Sequence, residues 1–108
     1  MDEHSIDIGK DFNPLLGGRT IKVGPYSGEL FYKELLEPKF RLAIEEGKEL
    51  HIYLDNAKGY ASSFLDQSFG ELARNYNKLD VEKTIHFHTK FFKRNIDYLK
   101  IEIWAKNI

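Results

Sequence analysis

Two adjacent serines, Ser62 and Ser63, are the residues of this 108-residue chain whose position best suits chemistry. They follow an alternating apolar segment that ends at Asp55, and they precede a helical pattern. Free amides and the dipole at such a helix start favour an anion or a phosphorylated side chain. We nevertheless favour a capping role, because Ser63 and Asp66 have the spacing of a capping box.

The residues just before the serines have structural interpretations as well. For Asp55 we favour an Asx-turn that closes the strand, and for Gly59 a positive φ angle, over a catalytic role. The run Gly59-Tyr60-Ala61-Ser62 lacks the spacing of a hydrolase nucleophile elbow. The chain also has no cysteine to act as a nucleophile or to form a disulfide. We therefore predict no enzymatic activity.

A second patch is expected between residues 19 and 29. Arg19 follows two glycines and would pair either with an acidic partner or phosphate, or with an acidic residue of this chain. Both alternatives stay open. Ser27 and Gly28 begin a helical pattern and could form another anion site, although we favour a plain cap. Tyr26 completes this second patch.

Three histidines offer a metal-based alternative. His86 and His88 would point to one side of a strand, and His51 would lie beside them if its strand is adjacent. Three imidazole nitrogens are a suitable ligand set for zinc. A solvated sheet face is the interpretation we favour, and we predict no metal and no cofactor.

A basic and aromatic run, Lys90-Phe91-Phe92-Lys93-Arg94, has a composition that can bind single-stranded nucleic acid. We favour an amphipathic helix with its basic side in water. Sixteen basic and seventeen acidic residues give a net charge of −1, which argues against a dedicated nucleic-acid surface. No nucleic-acid partner is therefore predicted.

Strands and helices must position these candidates, and the apolar spacing predicts where they lie. Period-two alternation predicts about five strands, near residues 6–8, 21–23, 50–54, 85–87 and 101–105. The first two would pair as a hairpin. Each strand has one apolar face and one mixed face, so the helices are expected mainly on one face of a mixed sheet. The fold class is α/β, in the broad α+β sense.

Three helices are predicted. The first covers residues 28–46, is kinked or divided by Pro38 and ends at Gly47. The second carries an apolar stripe over residues 65–76. The third covers residues 90–99.

Composition limits the class of protein to a single domain over residues 1–108. No apolar run exceeds three residues, so a membrane span is not expected, and the first residues lack signal-peptide features, which predicts a cytoplasmic protein. Tyr53, Tyr60 and Trp104 are expected to be accessible. A homodimer through the mixed sheet face or an edge strand stays open, since exposed Tyr53 and Trp104 would add apolar area to that face. Four other aromatic residues are assigned to the core: Phe40, Phe69, Tyr76 and Phe87.

Several short motifs between residues 18 and 70 resemble the pattern of a known family, and the resemblance covers nearly the whole chain. They are Gly18-Arg19, Gly24-Pro25-Tyr26-Ser27-Gly28-Glu29, Leu54-Asp55, Gly59-Tyr60, Ser62-Ser63-Phe64-Leu65-Asp66 and Phe69-Gly70. Together they resemble the bacterial STAS-like family of unknown function, which looks like a relative of the STAS domains of anti-sigma factor antagonists. That resemblance implies a mixed sheet with helices packed against one face.

The resemblance also implies a protein-binding regulatory module. In antagonist STAS domains, a serine at this strand-to-helix junction is phosphorylated by a histidine-kinase-type ATPase, and phosphorylation disrupts their complex. Ser62 and Ser63 match that junction. The alternative is a small-ligand or nucleotide sensor that binds an anion at the same helix start. The implied partner-binding surface includes four further residues of the 55–66 segment: Asp55, Gly59, Tyr60 and Asp66.

Overall fold

The computed structural model describes residues 3–106 and, within them, contains a three-stranded parallel sheet. Its strands are β1 (Ser5–Asp7), β2 (Leu50–Tyr53) and β3 (Ile85–His88), in the order β1-β2-β3. Ile6 pairs with Ile52, and Ile52 pairs with Phe87. Paired residues share a face of the sheet, so these three side chains form the centre of its apolar face.

The β1–β2 connection contains the first predicted helix. It consists of α1 (Gly28–Phe31), a π-helical turn (Tyr32–Leu36) and α2 (Glu37–Glu46) in unbroken succession. The wide turn lies just before Pro38, where the missing backbone N–H interrupts the α-helical ladder. Gly47 ends α2 with a φ of 65°, in the left-handed region that favours glycine. The prediction for residues 28–46 is therefore confirmed.

The β2–β3 connection contains the predicted amphipathic helix and one helix that was not predicted. The first comprises α3 (Ser62–Leu65), a π-helical turn (Asp66–Gly70) and α4 (Glu71–Asn75). It is followed by α5 (Lys78–Thr84), which Asn77 caps by accepting a hydrogen bond from the Leu79 amide (2.8 Å). Because Asn77 is an efficient N-cap residue, it was the available sequence signal for α5.

The last helix packs onto the same face of the sheet. It begins as α6 (Lys93–Tyr98) and continues as a π-helical turn (Leu99–Trp104). Trp104 is 1% exposed, lies 5.8 Å from the Phe87 ring and donates to the Phe69 carbonyl (2.9 Å). Phe69 in turn contacts Phe87 edge to face at 5.1 Å. The predicted amphipathic helix and the last helix therefore both pack on Phe87 of β3.

The predicted strand at residues 21–23 is wrong, and so is the hairpin. β1 pairs in parallel with β2 instead, and residues 21–23 form a turn with Ile21 and Val23 exposed. Backbone bonds across the loop, from the Gly17 amide to the Tyr26 carbonyl and from Gly28 to Gly18 (both 2.8 Å), hold it in place. The alternation was too short to indicate a buried face.

The predicted strand at residues 101–105 is also wrong, because this segment continues the last helix. Ile96, Leu99 and Ile103 are buried at spacings of three and four, which is a helical pattern. Trp104 is buried too, contrary to the expectation that it is accessible. The sheet therefore has three strands within residues 3–106 rather than about five, and they are all parallel.

No helix within the described part of the chain is long and apolar enough to cross a bilayer.

A close contact between α1 and α3 predicts a strong effect of Gly28→Ala. A β-carbon at Gly28 would lie 2.6 Å from the Phe64 carbonyl oxygen, so the two helices would have to separate. We expect the free energy of unfolding, measured by urea denaturation, to fall by about 1–3 kcal/mol. Gly59→Ala is the control, because a β-carbon there meets no atom within 4 Å and Gly59 has no positive φ. Equal losses in the two variants would contradict this packing.

Candidate functional site

Asp55 ties the end of β2 to the segment that follows β3. Its carboxylate accepts hydrogen bonds from the Thr89 hydroxyl (2.5 Å) and from the amides of Lys90 (2.7 Å) and Phe91 (3.4 Å). The Thr89 bond is the main reason that the pKa of Asp55 lies below its ordinary value. The expected Asx-turn is wrong, since the carboxylate reaches across to the neighbouring strand end. Asp55 is thus a tether at the carboxyl edge of the sheet.

Tyr60 is a core residue, contrary to the expectation that it is accessible. It is 7% exposed, and its hydroxyl donates to the Leu54 carbonyl at the end of β2 (2.7 Å). Its ring packs edge to face on Phe92 at 4.8 Å. Burial raises the pKa of this phenol. Direct contact with a partner through the Tyr60 side chain is therefore not available.

Gly59, just before Tyr60, is exposed and does not have the predicted positive φ. A β-carbon at Gly59 would meet no atom within 4 Å, so neither close packing nor the backbone conformation requires a glycine at this position.

Ser62 and Ser63 begin α3, as predicted, but they do not form the expected capping box. Ala61 occupies the cap position and makes no side-chain cap. Ser62 is exposed and Ser63 is half-buried. Within residues 3–106, neither hydroxyl makes a hydrogen bond. The two hydroxyls are therefore free to interact with another molecule.

Asp66 does not cap, because two arginines hold its carboxylate. Arg19 Nη1 pairs with one oxygen, and Arg74 Nη1 pairs with the other at 2.9 Å. Arg74 Nη2 also donates to the Asp66 carbonyl (2.8 Å). Partial burial raises the pKa of Asp66, but the hydrogen bonds from Arg19 and Arg74 outweigh it and leave the pKa lowered. Of the two alternatives for Arg19, the structure shows the internal bridge.

The rest of the second patch is mainly structural. Ser27 is fully buried and accepts from the Leu30 amide (3.1 Å), which confirms the plain cap. The amides of Gly28 and Glu29 donate to the carbonyls of Gly18 (2.8 Å) and Arg19 (3.0 Å). These amides are therefore not available to an anion. Tyr26, by contrast, remains 41% exposed.

An exposed apolar loop beside the serines was missed from the sequence. Val23 is 74% exposed and Ile21 is 48% exposed. A β-carbon built on Gly18 would lie 3.8 Å from Ser63 Oγ and 3.9 Å from Val23 Cγ1. Ser63 and Val23 are therefore both neighbours of Gly18. The turn signals at Gly17-Gly18 and Gly24-Pro25 on either side were the available warning that residues 21–23 are too confined for a paired strand.

The three histidines share the polar face of the sheet. His51 pairs with His86 across β2 and β3, and His51 Nδ1 lies 2.8 Å from His88 Nε2. Tyr53 is 43% exposed, as expected, and stacks on His88 at 4.5 Å. Glu49 contacts His86 at 3.1 Å and His51 at 3.6 Å. This face is a partly exposed row of rings joined by one ring-to-ring hydrogen bond, one ring stack and the contacts with Glu49.

The histidine nitrogens do not converge as the zinc alternative requires. Within residues 3–106, three ligand atoms come within 4.8 Å of one another only at Glu3, His4 and Glu46. His4 and Glu46 already pair at 2.7 Å.

The comparisons with known proteins give one match. A family model described as a STAS-like domain of unknown function (DUF4325) matches residues 27–89, which is more than half of the chain. The matched stretch begins at the buried cap of α1 and ends at the threonine that bonds Asp55. No curated protein and no solved structure matches the chain.

Removing the carboxylate of Asp66, which follows the serine pair, should destabilise the fold. In Asp66→Ala, Arg19 and Arg74 lose their common partner, and we expect the free energy of unfolding to fall by about 1 kcal/mol, since solvent screens a half-buried pair. Glu102→Ala removes an exposed pair with Lys106 and should cost less than about 0.5 kcal/mol. Urea denaturation measures both, and equal losses would show that the Asp66 bridge stabilises the fold no more than an exposed ion pair does.

His88 should titrate below its ordinary pKa of 6.5. Desolvation is the main cause, and the neighbouring imidazoles of His51 and His86 add to it by repelling a second positive charge. As the pH falls, His88 is protonated in the unfolded chain before it is protonated in the folded chain. The contribution of the neutral His88 ring to the free energy of unfolding is therefore fully present above pH 6.5 and is lost as the pH falls. An NMR titration of the His88 ring gives its pKa directly. The urea midpoint should fall less between pH 7 and pH 5 in His88→Gln than in the wild type, and a His88 pKa at or above 6.5 would contradict this.

Proposed function

Because the chain belongs to the STAS-like domain family of unknown function, we propose that it is a regulatory module that binds a protein partner around its serine pair and performs no chemistry itself. The docking surface consists of the exposed Ser62 hydroxyl, the half-buried Ser63 and the apolar loop formed by Ile21 and Val23. We call this the serine surface.

The observation that carries this proposal is the apolar loop next to unbonded hydroxyls. Val23 is 74% exposed, and both its Cγ1 atom and Ser63 Oγ lie within 4 Å of the β-carbon position at Gly18. Exposed apolar groups that cluster beside polar ones are typical of protein interfaces. The loop is held in place by backbone bonds to α1, so little ordering entropy would oppose binding.

The finer proposal is that the partner is a histidine-kinase-type ATPase and that phosphorylation of a serine releases it. The resemblance to anti-sigma factor antagonists supports this, and so does the accessible Ser62 hydroxyl. A phosphate would add nearly two negative charges to the surface. On Ser63 it would also lie against Gly18 and the apolar loop, where an apolar contact with a partner would be disrupted.

Binding to purified histidine-kinase-type ATPases from the source organism tests this function. We expect one of them to bind the wild-type chain and Val23→Asp to weaken that binding at least tenfold, because the charge would be desolvated in the interface. Leu79→Asp is the matched control, since Leu79 is 73% exposed on α5 and its substitution should leave affinity within twofold. Biolayer interferometry measures the affinities.

Two results would contradict these proposals. If no ATPase binds, the proposed class of partner is wrong. If Val23→Asp and Leu79→Asp bind equally well, the serine surface is not the docking surface. Mass spectrometry after incubation with ATP tests the switch separately, and a chain that binds but gains no phosphate at Ser62 or Ser63 would refute the switch alone.

A further inference from the structure

A groove on the other side of the serine pair lies between the start of α3 and the last helix. Asn95 donates to the Tyr60 carbonyl (3.2 Å), and Phe92 packs on the Tyr60 ring. These contacts hold the last helix against Tyr60, two residues before the serine pair, so the groove is already formed in the unbound chain. Its lining residues are Tyr60, Ser62, Leu65, Arg94, Asn95 and Tyr98.

The last helix has exposed apolar residues in this groove and beyond it. Arg94 and Tyr98 line the groove and are spaced by four residues, which places them on one side of α6. Tyr98 is 43% exposed, and Ile101, which follows in the π-helical turn outside the groove lining, is 62% exposed. Ile96, Leu99 and Ile103 of the same helix are buried. Tyr98 and Ile101 therefore present apolar area that this chain does not itself cover.

The segment that contains the last helix has an excess of positive charge. Residues 90–106 contain five basic and two acidic residues, whereas the remainder contains eleven basic and fifteen acidic residues. Lys106 pairs with Glu102. Among residues 3–106, no ion pair involves Lys93, Arg94 or Lys100. Residues 90–106 are thus a basic strip on a chain that is otherwise acidic, and Arg94 is the member of this strip that brings its charge into the groove lining.

We propose, on the basis of the function above, that the partner interface continues from the serine surface into this groove and that the partner inserts a short segment with both apolar and acidic side chains. Its apolar side chains would pack on Tyr98 and Ile101, and a carboxylate would pair with Arg94, whose planar guanidinium suits carboxylates.

Charge distribution favours a short acidic segment over a polyanion. Nucleic acid or an anionic bilayer would be attracted to the basic strip but repelled by the acidic remainder of the surface. A segment of a few residues contacts only the strip.

A synthetic peptide tests the groove without any knowledge of the partner. The probe is an amphipathic 15-residue peptide with leucines on one face and glutamates on the other, and its control has lysine in place of every glutamate. We expect the glutamate peptide to shift the NMR amide signals of Ser62, Arg94 and Tyr98, and the lysine peptide to leave them unchanged. Arg94→Glu should weaken binding at least tenfold, while Lys78→Glu, on α5, should change it less than twofold. Circular dichroism establishes that both variants fold.

Three results of these titrations would overturn the inference. They are shifts confined to another surface, equal binding of the two peptides, and no effect of Arg94→Glu. Tighter binding of single-stranded DNA or of phosphatidylserine vesicles through Arg94 would also overturn it, in favour of a polyanion.

The ATPase identified by the serine-surface experiment separates this inference from the function it extends. If Val23→Asp weakens ATPase binding and Arg94→Glu does not, the groove inference fails and the function stands. If both variants weaken binding tenfold and the two control variants do not, the interface includes both sides of the serine pair. If no ATPase binds, the proposed class of partner is wrong and the peptide titration alone decides the groove inference.

Discussion

The close packing of Gly28 on the backbone of Phe64 determines what surrounds the serine pair. It lets α1 approach the start of α3 so closely that a single β-carbon would not fit between them. With α1 in that position, its first amides bond to the carbonyls of Gly18 and Arg19 and hold the preceding loop beside Ser63. The exposed apolar residues of that loop are therefore a consequence of helix packing.

Most residues of the family motif build the site and are not exposed to a partner. Asp55 bonds across to the segment after β3, Tyr60 closes the end of β2, and Asp66 joins Arg19 to Arg74. Together they connect the loop, the sheet edge and the helix around two serines whose hydroxyls remain unbonded among residues 3–106. These motif residues hold the serines in position. In the proposed interface, Val23, Arg94 and Tyr98 at the edges of the serine pair would contact the partner.

The sequence predicted the elements whose apolar residues repeat over several turns or lie in buried strands. β2 and β3, the helix over residues 28–46 and the helix over residues 65–76 are confirmed, because burial and spacing agree there. The short alternations at 21–23 and 101–105 were misinterpreted. Two or three alternating residues also fit a turn or a helix, and only contact with other elements decides among these.

Aromatic exposure was equally hard to infer from local pattern. Tyr53 is accessible as expected, but Tyr60 and Trp104 are buried, since each has a polar atom that finds a backbone carbonyl inside the fold. The carbonyl partner of Trp104 is 35 residues away in the chain and that of Tyr60 is six residues away in an irregular segment, so neither helical nor strand spacing identifies them.

The sequence by itself determined the position of the serine pair at a helix start, the one-sided apolar pattern of the strands and the resemblance to a STAS-like family, because these follow from residue order along a short stretch. The tertiary structure decided that Asp66 binds two arginines instead of capping, that Tyr60 is core, and that Val23 and Tyr98 flank the serines. The physical reason is that hydrogen bonds, ion pairs and exposed surface depend on which distant segments meet, and that is settled by the packing of α1, α3 and the last helix on one face of a parallel sheet.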